Sequence, residues 1–136
     1  MKQRKSFPAL IFLIFISFSS TALCSKIVYP WRSSTAIVKA GESFEVWFDA
    51  DNGQIVNSVE LKSQYLSVHP TMSLTGVDVE YDPLSKNRYN TKITVTVPED
   101  APADRYDLVL KTSTGDVESW GGVKVVREFK ENYYIM

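Results

Sequence analysis

The sequence predicts an all-β domain, folded as an antiparallel β-sandwich. Apolar and polar residues alternate with a period of two in several segments, and turn-forming residues separate those segments at short intervals. Beyond the N-terminal apolar run, no segment longer than about ten residues keeps a helical period. Because an isolated two-stranded ribbon is at best marginally stable in water, we expect two sheets packed face to face.

The predicted strands are short and numerous. In "SFEVWFDA", Phe44 and Val46 lie on one face and Trp47 on the other. The pair Asn52-Gly53 predicts a tight turn, because both residues tolerate positive φ. The later segments are the return strand "IVNSVELKS", an irregular stretch over 64–86, the strands "YNTKITVTV" and "RYDLVLK", the turn "TSTGD", and "VESW" with "GGVKVVREF". About seven strands at this spacing are typical of immunoglobulin or fibronectin type III sandwiches.

One tyrosine has a predicted structural role. In "VPEDAPADRYDLVLK", two prolines and intervening acids end one strand, and Tyr106 opens the next. A tyrosine at this place matches the tyrosine corner of such sandwiches, in which the hydroxyl bonds to upstream backbone. The alternative is an ordinary half-buried strand tyrosine. In "GGVKVVREF" we expect the pair Gly121-Gly122 to form a bulge or kink in an edge strand.

The first 24 residues resemble an export signal, predicted as a helix. Lys2, Arg4 and Lys5 precede an apolar run over 9–16, and small residues follow up to Cys24. Cleavage is expected after Ala22 or Cys24; the alternative is an uncleaved N-terminal anchor. The prediction is a protein secreted or held at the cell surface.

The expected organisation is a signal peptide over 1–24, a β-sandwich over 25–128, and the start of a linker or strand over 129–136 that leads to a further domain. Cys24 is the single cysteine, so the domain after it has no disulfide and depends on packing. The formal net charge is −1, and the signal contains three of the positive charges. A mildly acidic domain without a basic stripe argues against nucleic acid as a partner.

Residues able to do chemistry are sparse. His69 is the only histidine, and it precedes a proline in an extended or turn segment. A serine–histidine pair would have to recruit it, with no Gly-x-Ser-x-Gly around any candidate serine. The acids around Asn52-Gly53 do not fit a calcium loop in spacing, and the alternating Asp78, Glu80 and Asp82 are expected to form a solvated face. We therefore predict no catalytic residue, no metal site and no cofactor.

Aromatic residues are the candidates for partner contact. Trp47 is predicted on the strand face opposite the core, and Trp120 adjoins the glycine pair. Tyr133 and Tyr134 belong to an apolar stretch at the end of the sequence, where a partner or a following domain would cover them. Aromatic side chains stack on sugars and also anchor protein contacts, so a glycan and a surface protein are both expected partners.

Three stretches, "IVYPWRSSTAIVKAGESFEVWFDA", "ITVTVPEDAPADRYDLVLKTSTG" and "VKVVREFKENYYIM", together resemble the N-terminal β-sandwich module of exported prokaryotic calcineurin-like metallophosphoesterases. In that family a short apolar strand leads into an Asp-x-His metal-binding motif, and 133–136 is similar to that strand. The resemblance implies a non-catalytic accessory module that positions or shields a catalytic domain, in the same chain or another. None of the family's metal ligands has a counterpart here. The alternative is a stand-alone binding or adhesion module for a glycan or protein surface.

Overall fold

A computed structural model describes residues 25–65 and 68–127. The predicted signal over 1–24 and the predicted linker residues 129–136, with Tyr133 and Tyr134, lie outside the described residues. In chain order the strands are β1 (Lys26–Tyr29), β2 (Ala36–Lys39), β3 (Ser43–Asp49), β4 (Val56–Ser63), β5 (Met72–Leu74), β6 (Asp78–Tyr81), β7 (Thr91–Thr96), β8 (Asp104–Thr112) and β9 (Gly115–Val126).

The strands form two sheets, which confirms the predicted all-β sandwich. The first sheet has the order β1-β3-β7-β6, and the second has the order β2-β9-β8-β4-β5. This is the immunoglobulin arrangement, in which the chain's first, second, fifth and fourth principal strands form one sheet. All described pairs are antiparallel except β2 with β9, which run parallel.

The parallel pair arises because the first strand is divided between the sheets. β1 ends at Tyr29, and a small turn follows, closed by reciprocal backbone hydrogen bonds between Trp31 and Ser34. The chain thereby crosses from the edge of the first sheet to the edge of the second, where β2 lies beside the last strand. Sequence alternation alone did not reveal this crossing.

The inner faces of both sheets form one apolar core. The alternation predicted for "SFEVWFDA" and "YNTKITVTV" is confirmed over the strands that form, since every second residue from Phe44 and from Thr91 is buried. The residues that are fully shielded include Val46, Phe48, Val59, Leu61, Ile93, Val95, Tyr106, Leu108, Leu110 and Val123. This shared interior stabilises the domain without a disulfide.

The predicted turn at Asn52-Gly53 is present, but the strands beside it do not form a hairpin. Gly53 has a φ of 81°, and the Gln54 amide donates to the Asp51 carbonyl at 3.0 Å. β3 pairs with β1 and β7, whereas β4 pairs with β5 and β8. The return-strand prediction was therefore wrong in its pairing. The turn carries the chain from the first sheet to the second. β3 and β4 then bury their apolar faces in the same core from opposite sides.

The glycine pair does interrupt the last strand, at the predicted place. The register between β8 and β9 shifts between Tyr106 and Leu108, opposite the segment that contains Gly121 and Gly122. Gly121 has a φ of 62°, and its amide donates to Asp107 Oδ1 at 2.6 Å. β9 lies between β8 and β2, so the prediction of an edge strand was wrong for its second half.

Candidate functional site

An aromatic triplet covers part of the outer face of the first sheet. Trp47 of β3 is half-buried, and the ring of Tyr89 stacks on its indole with a centroid distance of 5.0 Å and an interplanar angle of 10°. Tyr29 of β1 lies 5.0 Å from the same indole at 43°. Trp47 thus faces away from the core, as its place in the alternation predicts. Its rings are nevertheless largely covered by two tyrosines.

The position of Tyr89 differs from the sequence prediction. The alternation of "YNTKITVTV" predicts that Tyr89 shares the core face of Thr91 and Ile93. The strand begins only at Thr91, because the Asn90 side chain holds the preceding backbone by bonding to both the N–H and the C=O of Ala50, at 2.9 and 3.0 Å. Tyr89 is therefore free of the pleat and turns onto Trp47.

A polar depression of about 270 Å³ adjoins this triplet, between the end of β6 and the start of β7. Its lining includes Glu80, Asp82, Ser85, Asn87, Tyr89 and Lys92. Glu80 and Lys92 are cross-strand partners of β6 and β7. Carboxylate, amide, ammonium and aromatic groups thus meet in one concave place.

The loop between β6 and β7 is organised by its own hydrogen bonds. The Ser85 hydroxyl donates to the Tyr89 carbonyl at 2.9 Å and accepts from the Asn87 amide at 3.1 Å. The Asp82 carboxylate accepts from the Leu84 amide at 3.0 Å. Within the described part of the chain, no hydrogen bond or ion pair engages the side chains of Glu80, Asn87 or Lys92. Those groups are available to a ligand.

A second depression of about 330 Å³ lies beside β1. It is lined by Lys26, Ile27, Val28, Trp31 and Arg88. The Trp31 indole N–H donates to the Ile27 carbonyl, and 39% of Trp31 remains exposed. Arg88 lines this depression and its neighbour in sequence, Tyr89, lines the polar one. Sequence reasoning considered Trp31 among aromatic residues for sugar stacking but did not place Arg88 near it, because the two segments are far apart in the chain.

The other predicted contact residue lies elsewhere. Trp120 belongs to β9 in the second sheet, is 68% exposed, and donates from its indole N–H to Glu118 Oε1 at 3.3 Å. The structure therefore does not bring Trp47 and Trp120 into one site.

His69 lies near an acid and a serine, in an order that differs from a catalytic triad. The Ser63 hydroxyl donates to Asp104 Oδ2 at 2.6 Å, and His69 Nε2 lies 3.8 Å from the same oxygen. A nucleophilic serine needs the histidine as its neighbour, with the acid behind the histidine. Here Asp104 lies between Ser63 and His69. The Ser63 hydroxyl therefore bonds to a carboxylate and not to a histidine that could act as its base. Among residues 25–65 and 68–127, no three acidic, histidine or cysteine side chains converge as a metal site would require.

Tyr106 has the geometry of a tyrosine corner. Its side chain is fully buried, and its hydroxyl donates to the Pro102 carbonyl at 2.7 Å. Burial raises the pKa of this hydroxyl above the ordinary 10.0, and the charge of Asp104 adds to the effect. Tyr106 stands two residues before Leu108, the place at which immunoglobulin domains carry their second core cysteine. Here Leu108 is buried in the core without a disulfide.

Among the described residues there is no helix long and apolar enough to cross a bilayer.

Comparison with known proteins matches solved structures but no family model. No family model matches the chain, and no curated protein matches it. Matching solved structures include a fibronectin(III)-like module of Clostridium thermocellum CbhA, with 17% identity over 78% of this chain and 99% of that one and a TM-score of 0.33. Another match is a chain from a structural study of T cell specificity and activation by the bacterial superantigen toxic shock syndrome toxin-1. It has 12% identity over 75% of this chain and 98% of that one, and a TM-score of 0.34. Nothing in these comparisons links the chain to metallophosphoesterases.

Proposed function

We propose that this domain is a non-catalytic binding module that holds an oligosaccharide across the outer face of its first sheet. One observation carries the proposal: Tyr89, stacked on Trp47, lines a polar depression in which the side chains of Glu80, Asn87 and Lys92 are also found. Sugars present C–H faces that pack on aromatic rings and hydroxyls that need fixed hydrogen-bonding partners. The aromatic triplet offers the first kind of contact.

The side chains of Glu80, Asn87 and Lys92 offer the second kind of contact. A carboxylate accepts, an ammonium donates, and an amide does both, so the three together suit the donor and acceptor pattern of neighbouring hydroxyls. The hydrogen bonds of Ser85 and Asp82 organise the loop beforehand, which lowers the entropy cost of binding. In the second depression, Lys26 and Arg88 would favour a sugar that bears a carboxylate.

A panel of immobilised neutral and acidic oligosaccharides, screened with the full-length chain, tests this function. For a sugar that binds, calorimetry should show that Asn87→Ala and Tyr89→Ala each weaken affinity by about tenfold. Asn87→Ala should leave the unfolding midpoint unchanged, because its side chain bonds to nothing in the described residues. Trp120→Ala is the matched control on the opposite sheet and should bind normally. The proposal would be refuted if no sugar on the panel bound, or if Trp120→Ala weakened the affinity as much as Tyr89→Ala does.

The sequence resemblance supports a second, finer proposal: that the module is exported and works beside a metallophosphoesterase catalytic domain, in the same chain or another. Its support is the three quoted stretches and the signal-like residues 1–24. In this role the domain would position or shield the catalytic domain, and a bound glycan would place the pair at a cell surface. Sequencing the DNA around the Met136 codon tests it. A frame that continues into an Asp-x-His strand is the expected result, and unrelated sequence on both sides would count against it.

A further inference from the structure

β6 leaves one of its edges without a partner in the described structure. It is the outermost strand of the first sheet and pairs with β7 alone. Just after it, the Asp82 amide donates to the Asn90 carbonyl at 2.8 Å. Hydrogen-bonded residues alternate along an antiparallel ladder, so the N–H and C=O groups of Val79 and Tyr81 point away from β7. They are available to pair with another strand.

An apolar groove runs beside this free edge. It measures about 320 Å³ and is lined by Ile55, Val56, Val79 and Tyr81 among others. Three of these side chains are conspicuously exposed for their type: Ile55 at 62%, Val79 at 42% and Tyr81 at 53%. Val79 faces this groove because its partner Ile93 points to the core side of the sheet. Apolar side chains from an added strand would therefore be covered here.

The opposite face of the same strand is acidic. Asp78 and Glu80 are exposed and alternate with Val79 and Tyr81. An added strand would place its own alternate side chains beside these two carboxylates. A second copy of this chain fits poorly, since antiparallel pairing of β6 with itself would bring acids against acids. Basic residues fit the acidic face, and apolar residues fit the groove.

We propose that β6 accepts an extended segment of a partner protein in which basic and apolar residues alternate. The segment adds as a fifth strand to the first sheet, with backbone hydrogen bonds to Val79 and Tyr81 and apolar side chains in the groove beside Ile55. This surface shares Glu80 and Tyr81 with the polar depression of the proposed sugar site, whereas Asp78 and Ile55 do not line that depression and therefore distinguish the two proposals.

The probe for this proposal is a short synthetic peptide in which lysine and valine alternate. Two control peptides match it: one has alternate amides N-methylated, and the other has glutamate in place of lysine. Titration into the isotope-labelled full-length chain should shift the amide signals of 78–82 and saturate. The N-methylated peptide should bind at least about tenfold more weakly, because it lacks donors for the strand edge.

Charge variants of the protein complete the test. Asp78→Lys should weaken the lysine–valine peptide by about fivefold and strengthen the glutamate–valine peptide, whereas Glu118→Lys on the second sheet should change neither. Tyr89→Ala should also leave peptide binding intact, which separates this proposal from the sugar site. The proposal is wrong if the peptide does not saturate or if N-methylation has no effect. It is also wrong if β6 pairs with a second copy of the chain. In that case sedimentation would show a dimer, and Val79→Lys would abolish the dimer.

Discussion

The Tyr106 hydroxyl donates a hydrogen bond of 2.7 Å to the carbonyl oxygen of Pro102, four residues earlier. This contact holds the loop that leads from β7 in the first sheet to β8 in the second, close to the point where β8 begins. The ring is fully buried, so the hydroxyl would otherwise have been taken from water without a replacement partner. The link therefore couples the path of the loop to the packing of the core.

Tyr106→Phe should lower the free energy of unfolding by about 1–2 kcal/mol, because it removes this bond and leaves the Pro102 carbonyl without it. Urea denaturation of both proteins measures the difference. Tyr65→Phe is the control, since Tyr65 is 56% exposed and its hydroxyl lies 3.5 Å from Arg32 Nη2. Identical midpoints for the Tyr106 variant and the parent would contradict a stabilising role for the corner.

The same tyrosine predicts a loss of stability in alkali. Burial and then the Asp104 charge raise the pKa of the folded-state hydroxyl above 10.0, whereas the unfolded chain ionises near that value. The contribution of this group is thus complete below pH 10 or so and disappears as pH rises through the folded-state pKa. Denaturation midpoints measured from about pH 9 to about pH 11 should fall more steeply for the parent than for Tyr106→Phe. Parallel curves would rule out this contribution.

Gln54 is expected to stabilise the connection between the ends of the two sheets. Its Nε2 donates to the hydroxyls of Thr112 and Thr114 at 3.0 and 2.9 Å, and its Oε1 accepts from the Asp51 amide at 2.9 Å. Gln54→Ala should therefore cost about 1–3 kcal/mol, since the Asp51 amide and the hydroxyls of Thr112 and Thr114 lose this partner at once. Calorimetric unfolding checks this value. Asn57→Ala, at an exposed amide of β4, should change stability by less than about 0.5 kcal/mol.

Gly122 has no room for a side chain. A methyl group there would lie 2.5 Å from Ser119 Oγ and 3.0 Å from the Pro30 carbonyl oxygen. The Ser119 hydroxyl is itself bonded to that carbonyl, so neither atom moves freely. Gly122→Ala should destabilise the domain by about 1–3 kcal/mol. Gly76→Ala, where nothing lies within 4 Å, should have little effect. Thermal unfolding of the pair tests the contrast, and equal shifts would refute the steric explanation.

The two tryptophans of the sheets should respond differently to truncation. Trp47→Ala removes both aromatic contacts of the triplet and should cost about 2 kcal/mol. Trp120→Ala removes a side chain that is 68% exposed and should cost less than about 0.5 kcal/mol. Chemical denaturation followed by far-ultraviolet circular dichroism measures both. A larger loss for Trp120→Ala would mean that its side chain packs more closely than the structure shows.

Part of the candidate site was accessible from sequence. Period-two alternation placed Trp47 on the outer face, because successive side chains of a strand point to opposite sides. The same rule misplaced Tyr89, since alternation holds only within a strand, and β7 begins two residues later, at Thr91. The depressions were not predictable, because Glu80, Tyr89 and Lys92 become neighbours only through the ladder between β6 and β7 and the loop that joins them.

By itself, the sequence determined the class of fold, the apolar residues of the core, the turn at Gly53 and the importance of Tyr106. These follow from local rules: alternation, turn geometry and the position of a tyrosine at the start of a strand. The tertiary structure alone decided that β3 and β4 lie in different sheets, that β2 runs parallel to β9, and that β6 is an edge of the first sheet among the described strands. The physical reason is that alternation specifies which face of a strand is buried. The partner of each strand depends on contacts between distant segments of the chain, and these contacts form only when the two sheets pack together.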